Sequence, residues 1–376
     1  MEKELSYWLA LAHMSKVRTK RKNEIIVRLF EQGRTIVDFF HSDPMSWGVE
    51  FNLTESEVNL FMEASGELSN YAFMVEDLLE QGYHILPITS KDYSPALKKN
   101  LGRSHAPPVI YAKGNLQMLK EKSIAIVGSR KANDISLEFT DNVAKKATED
   151  HKVVVSGFAK GVDKHALDSA LKYKGQSIIV LPQGIATFKS GFKKYYKQII
   201  EGDVLVLSTF YPKAPWGVQL AMARNPIIYG LASEIYVAES SEKGGTWSGV
   251  IDGLGKGRSI FVRKPKPKEK NANGILISKG GTAVDQQGNI TSDEASPENR
   301  PIVSEPEAKT IEDKILHLLK QGAFDSKTIV DRLKIAWSAK KVTSVLKKNP
   351  NVKTLNGKPV KFTHKSRSKE NQATLF

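Results

Sequence analysis

Five short stretches of this chain are rich in glycine and small hydroxyl residues. They are Gly128-Ser129-Arg130-Lys131, Ser156-Gly157-Phe158-Ala159-Lys160-Gly161-Val162-Asp163, Pro182-Gln183-Gly184, Ser208-Thr209 and Gly244-Gly245-Thr246-Trp247-Ser248-Gly249. Such residues let backbone amides and helix N-termini approach a phosphate closely. Arg130, Lys131 and Lys160 add fixed positive charge to two of the stretches. A single glycine turn needs no ligand to explain it, because tight turns use glycine anyway. Five of them along one edge of a sheet, two with basic residues, point to phosphate binding.

Covalent chemistry has little support. No G-x-G-x-x-G follows the apolar run Ile124–Val127, so no dinucleotide site is signalled, and no G-x-x-x-x-G-K-[ST] signals nucleotide hydrolysis. His165 and Asp168 lie near Ser156 in sequence, but spacing alone does not make a triad. His165 reads instead as a helix residue facing a sheet. The eight histidines show no metal-ligand spacing with carboxylates. Gly244–Gly249 is superficially like a phosphoribohydrolase loop, yet Trp247, Ser248 and Gly249 follow Thr246 where that chemistry needs a carboxylate. The sequence assigns no catalytic residue, no metal and no cofactor, and it leaves nucleotide binding open.

The elements that position these turns are legible. Apolar runs recur at Ile124–Val127, Val153–Val155, Ile178–Leu181, Val204–Leu207, Ile235–Val237 and Ile260–Val262. Helical patterns such as Val162–Tyr173 and Gly217–Tyr229 fill the gaps. This alternation predicts an α/β fold, a Rossmann-like parallel sheet with helices on both faces. Continuous apolar strands are what a sheet buried on both sides requires. The turns then collect at the carboxyl ends of the strands, where such sheets bind ligands.

Residues 1–90 read as a helical domain. Leu5, Trp8, Leu9, Leu11 and Ala12 repeat at helical spacing, a basic cluster follows (Lys16, Arg18, Lys20, Arg21, Lys22), and helices are predicted around Glu24–Gln32, Glu55–Ala64 and Tyr71–Gln81. His84–Ile88 is a short apolar piece, and Ala106–Tyr111 is held extended by its prolines. The Rossmann-like domain is assigned to 91–290. Within it and beyond, Lys264–Pro306 reads mostly as loop or linker, with one more short strand inside Gly274–Asp285 and the linker proper at 291–307. Residues 308–364 read as three helices and a hairpin. Thr310 caps a helix carrying Ile311, Ile315, Leu318 and Leu319, Gly322 ends it, and Ser326–Leu333 and Ser338–Leu346 follow. Asn356-Gly357, a type I′ turn signal, joins strands Asn351–Leu355 and Lys358–Phe362. That is the pattern of a winged helix-turn-helix. Residues 365–376 read as a tail.

The chain has 376 residues, 40% hydrophobic and 26% charged, which suits two or three domains with an ordinary core. The lack of cysteine excludes a disulfide framework, a thiolate zinc site and a cysteine nucleophile. The chain has no apolar run long enough to span a membrane, and Met1–Leu11 lacks signal-peptide features. The expected location is cytoplasmic, with no membrane contact. The net charge is +15, and from Arg300 to Phe376 there are 17 Lys plus Arg against 7 Asp plus Glu. An excess of this size fits a polyanionic partner, because basic side chains displace condensed counterions from phosphates. A merely solvated basic surface is the competing reading.

In order along the chain these residues resemble the DNA-processing protein A (DprA, also Smf) family. The resemblance rests on Val127-Gly128-Ser129-Arg130, on Ser156 to Ala166, on Val180-Leu181-Pro182-Gln183-Gly184, and on Arg224-Asn225-Pro226-Ile227-Ile228-Tyr229-Gly230-Leu231. Pro107-Pro108-Val109-Ile110-Tyr111-Ala112-Lys113-Gly114-Asn115 resembles the segment before the family's sheet. The resemblance covers about Leu5 to Val262 and implies an extended Rossmann domain, with a SAM-like helical domain before it and a winged helix after it. It further implies homodimers, single-stranded DNA as ligand and the RecA recombinase as partner, loaded during natural transformation. Carried over by motif, Arg130 and Lys160 would contact phosphates. Gly128, Ser129, Ser156 and Gly157 would shape the pocket, and Arg224 and Asn225 would line it. Lys131, Gly161, Gly245 and Thr246 complete the expected contact set.

Three departures stand out. Pro226 replaces a second arginine, which removes a basic side chain and predicts a different local turn. Ala221-Met222-Ala223 replaces a basic, proline-containing stretch, and the run Ile260–Val262 leads into a Lys/Pro segment. These leave room for a DNA-sensing defence factor. Two other readings compete: a nucleotide sensor or nucleotide hydrolase using the same sheet edge, and a C-terminal domain that binds duplex DNA by sequence.

Overall fold

The structure, a computed structural model, describes residues 2–267, 269–291, 315–316, 318–319, 323–333, 338–349, 351–355 and 360–364. These residues fall into two compact units, within Met1–Thr291 and within Ser292–Thr374.

The first unit opens with helices α1 (Glu2–His13), α2 (Thr19–Glu31), α3 (Ile36–His41), α4 (Pro44–Glu50), α5 (Glu55–Gly66) and α6 (Leu68–Glu80). Their core is aromatic: Phe39 stacks on Trp47 at 4.8 Å and meets Phe61 edge-on at 5.1 Å. Thr35 and Thr54 start α3 and α5 with reciprocal capping boxes to Asp38 and Glu57. Two residues of the basic cluster are structural. Lys22 is buried and donates to the carbonyls of Ala12 (2.6 Å) and Met14 (3.0 Å), and burial lowers its pKa to about 8. Arg21 is held by Glu57 at 2.9 Å.

Strands β1 (His84–Pro87) and β2 (Val109–Lys113), with α7 (Pro95–His105) between them, follow. Next come β3 (Ser123–Gly128), α8 (Asp134–Glu149), β4 (Val153–Ser156), α9 (Val162–Lys172), β5 (Ser177–Val180), α10 (Lys189–Lys194), α11 (Tyr196–Glu201) and β6 (Val204–Ser208). The unit closes with α12 (Val218–Leu231), β7 (Glu234–Glu239), α13 (Gly245–Gly255), β8 (Ser259–Arg263), α14 (Asn273–Ser278) and β9 (Thr282–Val284). The sheet order is β1-β2-β6-β5-β4-β3-β7-β8-β9. β3 to β9 pair with one another in parallel, and β3 to β8 are the strands that the six apolar runs predict. The two apolar pieces before them add what those runs do not show: β1 and β2 join antiparallel and extend the sheet beyond β6. The sheet is therefore mixed. Its two faces are both buried. Ala125 and Val127 of β3 share a core with Ile227, Ile228 and Val250, whereas Ile124 and Ile126 pack with Phe139, Val143 and Ala166.

Two expectations are corrected. Residues 264–291, read mostly as loop, hold α14 and β9, and β9 lies within the stretch expected to add a strand. Arg263, Glu269 and Asn273 anchor them, as described below. Pro226 was expected to force a different turn, but it lies inside α12. It is exposed, so its ring meets solvent, and the helix loses only the N–H that would have bonded the Met222 carbonyl.

The second unit has helical residues at Ile315, Leu316, Leu318 and Leu319, strand β10 (Phe324–Asp325), helices Ser326–Leu333 and Ala339–Lys348, and strands β11 (Val352–Leu355) and β12 (Lys361–His364). The strands form an antiparallel sheet in the order β10-β12-β11. Ile315, Leu318, Leu319, Ile329, Val342, Leu346 and Phe362 share its core. β10 is too short to leave a signal in the sequence. The hairpin ladder ends at Leu355↔Lys361, so its second strand starts later than the expected Lys358. Residues 292–307, Thr310, Gly322, the Asn356-Gly357 turn and 365–376 lie outside the described residues.

Candidate functional site

The chain's winding reverses at β3, which has β4 on one side and β7 on the other. Loops leaving the carboxyl ends of such a pair diverge to opposite faces and leave a crevice. A cleft of about 360 Å³ opens there, lined by Gly128, Ser129, Arg130, Ala159, Asp163, Arg224, Asn225, Glu239, Lys243, Gly244, Gly245 and Thr246, among others. An adjoining slot of about 230 Å³ shares Met222, Asn225, Tyr229 and Gly245 with it.

Backbone proximity at the mouth depends on two glycines. Gly161 sits at φ +88°, and a Cβ there would lie 2.3 Å from the Ser129 carbonyl oxygen and 2.8 Å from Arg130 Cα. The Val162 amide donates to the Ser129 carbonyl at 3.2 Å, so the first and second turns are locked together. A Cβ on Gly157 would fall 1.4 Å from an Arg224 guanidinium nitrogen. Thr246 Oγ1 donates to the Gly128 carbonyl at 3.1 Å and ties the start of α13 to the end of β3. α13 begins without a side-chain cap, so its first amides keep no intrahelical partner beside the cleft.

The cleft floor is a buried ion pair. Arg224 is 3% exposed and donates to the Val180 carbonyl at 3.2 Å, and its guanidinium stands 3.9 Å from Asp163. Its Nε has no hydrogen-bond partner. Burial lowers the Arg224 pKa against the opposing pull of Asp163. Burial likewise raises Asp163 above the usual carboxylate range, while Arg224, Arg130 and the amides of Gly157 and Ala159 oppose the shift. Behind β7, Arg263 is fully buried. It donates to the Ala238 carbonyl (2.9 Å) and grips Glu269, whose pKa falls to about 2 chiefly through that contact. Asn273 holds the Ser240 amide (3.0 Å) and the Ala238 carbonyl (3.1 Å), which fixes the loop running to Gly244.

Of the expected contact residues, Gly128, Ser129, Arg130, Arg224, Asn225, Gly245 and Thr246 line the cleft. Arg130 is exposed, whereas Arg224 is turned into the fold. Lys131, Ser156, Gly157, Lys160 and Gly161 do not line it. The Ser156 hydroxyl donates to the Asp163 carbonyl at 2.6 Å, and Lys131 and Lys160 are exposed beside the mouth. The third and fourth turns pack on each other: Ser208 Oγ donates to the Gln183 carbonyl at 2.7 Å. Three of the five turns therefore build the cleft. Sequence reasoning missed Asp163 as the partner of Arg224, although a carboxylate in the first turn of a helix was its signal. It also missed Glu239 and Lys243 as lining residues, and neither carries a motif. Among the described residues no group of three or more His, Cys, Asp or Glu could hold a metal, and no helix is long and apolar enough to cross a membrane.

The family model for DNA recombination-mediator protein A matches residues 84–295, more than half of the chain. DNA processing protein DprA of Streptococcus pneumoniae is 34% identical over 158 residues, covering 42% of this chain and 55% of that protein. DNA processing protein DprA of Bacillus subtilis is 29% identical over 211 residues, covering 54% of this chain and 69% of that protein. The X-ray structure of the Streptococcus pneumoniae protein is similar to this fold with a TM-score of 0.60 at 26% identity, over 76% of this chain and 94% of that one. The sequence match thus spans little more than half the length of the pneumococcal relative. Every strand and turn that builds the cleft falls inside the family match, and the chain belongs to the DNA recombination-mediator protein A (DprA/Smf) family.

Proposed function

We propose that the cleft holds the sugar-phosphate backbone of single-stranded DNA and that the protein serves recombination as a DNA-binding factor without catalytic chemistry of its own. The observation that carries this reading is the crevice at the winding reversal, with Arg130 exposed at its mouth and uncapped α13 amides beside it. Amides and basic side chains grip phosphates without reading bases, which suits a strand of any sequence. Gly128, Ser129, Gly245 and Thr246 give the phosphate close backbone approach. Lys131 and Lys160 act electrostatically from the rim. Arg224 and Asp163 set the shape of the floor.

The second unit supports a companion role. Its strands and helices, with the sheet order β10-β12-β11, support the winged-helix reading of this domain. The basic excess of residues 300–376 suits a second contact with the same strand. Homodimer formation and delivery of the strand to the RecA recombinase, as in natural transformation, complete the reading. A titration of the full chain and of residues 1–300 with single-stranded and duplex oligonucleotides at two salt concentrations tests it. The full chain binds single strands more tightly, and less so at high salt. Equal affinity for both forms rejects the reading.

One observation favours a second reading. Glu239 places a carboxylate in the cleft, held by the Ser136 hydroxyl at 2.8 Å. A nucleotide hydrolase would release free base from nucleoside monophosphates, and incubation followed by chromatography decides it.

A further inference from the structure

The loop between β4 and α9 holds a strained aromatic residue. Phe158 sits at φ +59°, and among the described residues it is the only apolar side chain in the left-handed region. The other non-glycine residues at positive φ (Lys16, Asn52, His151 and Lys174) are exposed, whereas Phe158 is partly buried. A bulky side chain keeps such a conformation only where its surroundings impose it.

Contacts on both sides of the backbone impose it here. The Phe158 ring meets Phe188 edge-on at 5.1 Å and Tyr195 at 5.7 Å. Those rings are themselves fixed. Phe188 is buried and meets Phe192 at 5.5 Å, and Phe192 meets Tyr83 at 5.6 Å. Tyr195 is buried, and its hydroxyl donates to Asp168 at 2.9 Å. On the main chain, successive amides around a left-handed residue form a concave anion site. The amides of Gly157 and Ala159, on either side of Phe158, both donate to the Asp163 carboxylate.

Phe158 does not line the cleft, but the loop it anchors builds the cleft. Gly157 lies against the Arg224 guanidinium, and Asp163 faces the same group at 3.9 Å. Gly161 lies against the backbone of Ser129 and Arg130, and the Val162 amide donates to the Ser129 carbonyl at 3.2 Å. The floor and the mouth therefore both hang on the path of the chain through residue 158.

We infer that Phe158 is a positioning residue: its ring, docked against Phe188 and Tyr195, holds the loop that sets Arg130 at the cleft mouth. The inference rests on the reading of the cleft as a phosphate site. The left-handed conformation gathers the two amides on Asp163, and the ring contacts hold that conformation in place. Once the ring is released, residue 158 relaxes to negative φ. The amides then turn away from Asp163, Gly161 leaves Ser129, and Arg130 loses its fixed position.

Substitutions at Phe158 in the full-length protein test this. Phe158→Ala lowers affinity for a thymidylate oligomer about tenfold, the lower end for losing a hydrogen bond to a charged group. The slope of log affinity against log salt becomes shallower by about 0.7, as the loss of one phosphate contact requires. Because Phe158 acts through Arg130, the double variant Phe158→Ala/Arg130→Ala binds as Arg130→Ala alone does. Glycine adopts either sign of φ, so Phe158→Gly removes the strain without supplying an anchor, and it binds as weakly as Phe158→Ala. Phe158→Leu refills most of the space and restores most of the affinity. Without DNA, hydrogen exchange read by mass spectrometry is faster in Phe158→Ala across residues 128–131 and 157–164 and unchanged across β7 and β8. Parent-like binding by Phe158→Gly, additive losses in the double variant, or exchange that quickens everywhere or nowhere overturns the proposal and leaves the cleft reading intact. A parent protein that binds no oligomer overturns the cleft reading. Faster exchange confined to the two segments then still supports Phe158 as the anchor of the mouth, and unchanged exchange overturns that as well.

Discussion

Arg224→Met tests how the cleft floor is built. The substitution keeps a good helix former of similar length and removes the charge together with the bond to the Val180 carbonyl. Breaking a buried ion pair by removing one partner costs about 3–5 kcal/mol, because the other charge is left uncompensated. Two features place this pair at the lower end. The charges stand 3.9 Å apart, and Arg224 Nε has no partner, so the substitution also removes an unsatisfied donor. Asp163 meanwhile keeps the amides of Gly157 and Ala159. The expected loss is about 3 kcal/mol, read from urea unfolding followed by circular dichroism. Its pH dependence carries a definite sign. Burial raises the Asp163 pKa, so the stability tied to its protonated form is full in acid and is lost as pH rises through the raised value. Without Arg224 the rise is larger, so the deficit is greatest near neutrality and shrinks in mild acid. Adding Asp163→Asn to Arg224→Met removes the charge, keeps an oxygen acceptor and recovers more than half of the loss. A variant as stable as its parent, or a deficit independent of pH, refutes the reasoning.

Other substitutions probe separate parts of the site. Gly161→Ala combines a left-handed φ with backbone atoms that cannot move aside, and it costs about 2 kcal/mol or more in thermal unfolding while weakening oligonucleotide binding. Arg130→Ala lowers affinity for oligonucleotides of every base composition and makes the salt slope shallower by about 0.7; unchanged binding rejects Arg130 as a phosphate contact. Glu269→Gln removes the partner of buried Arg263. The parent gains stability from Glu269 above the ordinary carboxylate range and loses it as pH falls toward about 2, so the variant, less stable by roughly 3 kcal/mol near neutrality, shows a flatter acid limb in unfolding.

Much of the fold follows from local pattern. The six runs from Ile124 to Val262 are apolar at every position because both sheet faces are covered, and that pattern survives in sequence as strand length and spacing. The antiparallel pairing of β1 and β2 left no such mark, since register and direction are set by a partner far along the chain: Tyr111 pairs with Ser208. Pro226 shows the same limit in reverse. Its type argues for a break, but an exposed position inside α12 tolerates it.

The sequence by itself determined the carboxyl-edge turns, with Arg130 as a fixed positive charge among them, and the basic excess of the chain. These are properties of residue type and short spacing. Only the tertiary structure decided what each charge does. Lys22 became a buried donor to two carbonyls, and Arg224 became the floor of the cleft opposite Asp163. Lys160 stayed exposed, next to the glycine that packs against Ser129 and Arg130. The physical reason is that a charge's role is fixed by its solvation and its neighbours. Packing sets both through contacts between segments that lie far apart in the chain.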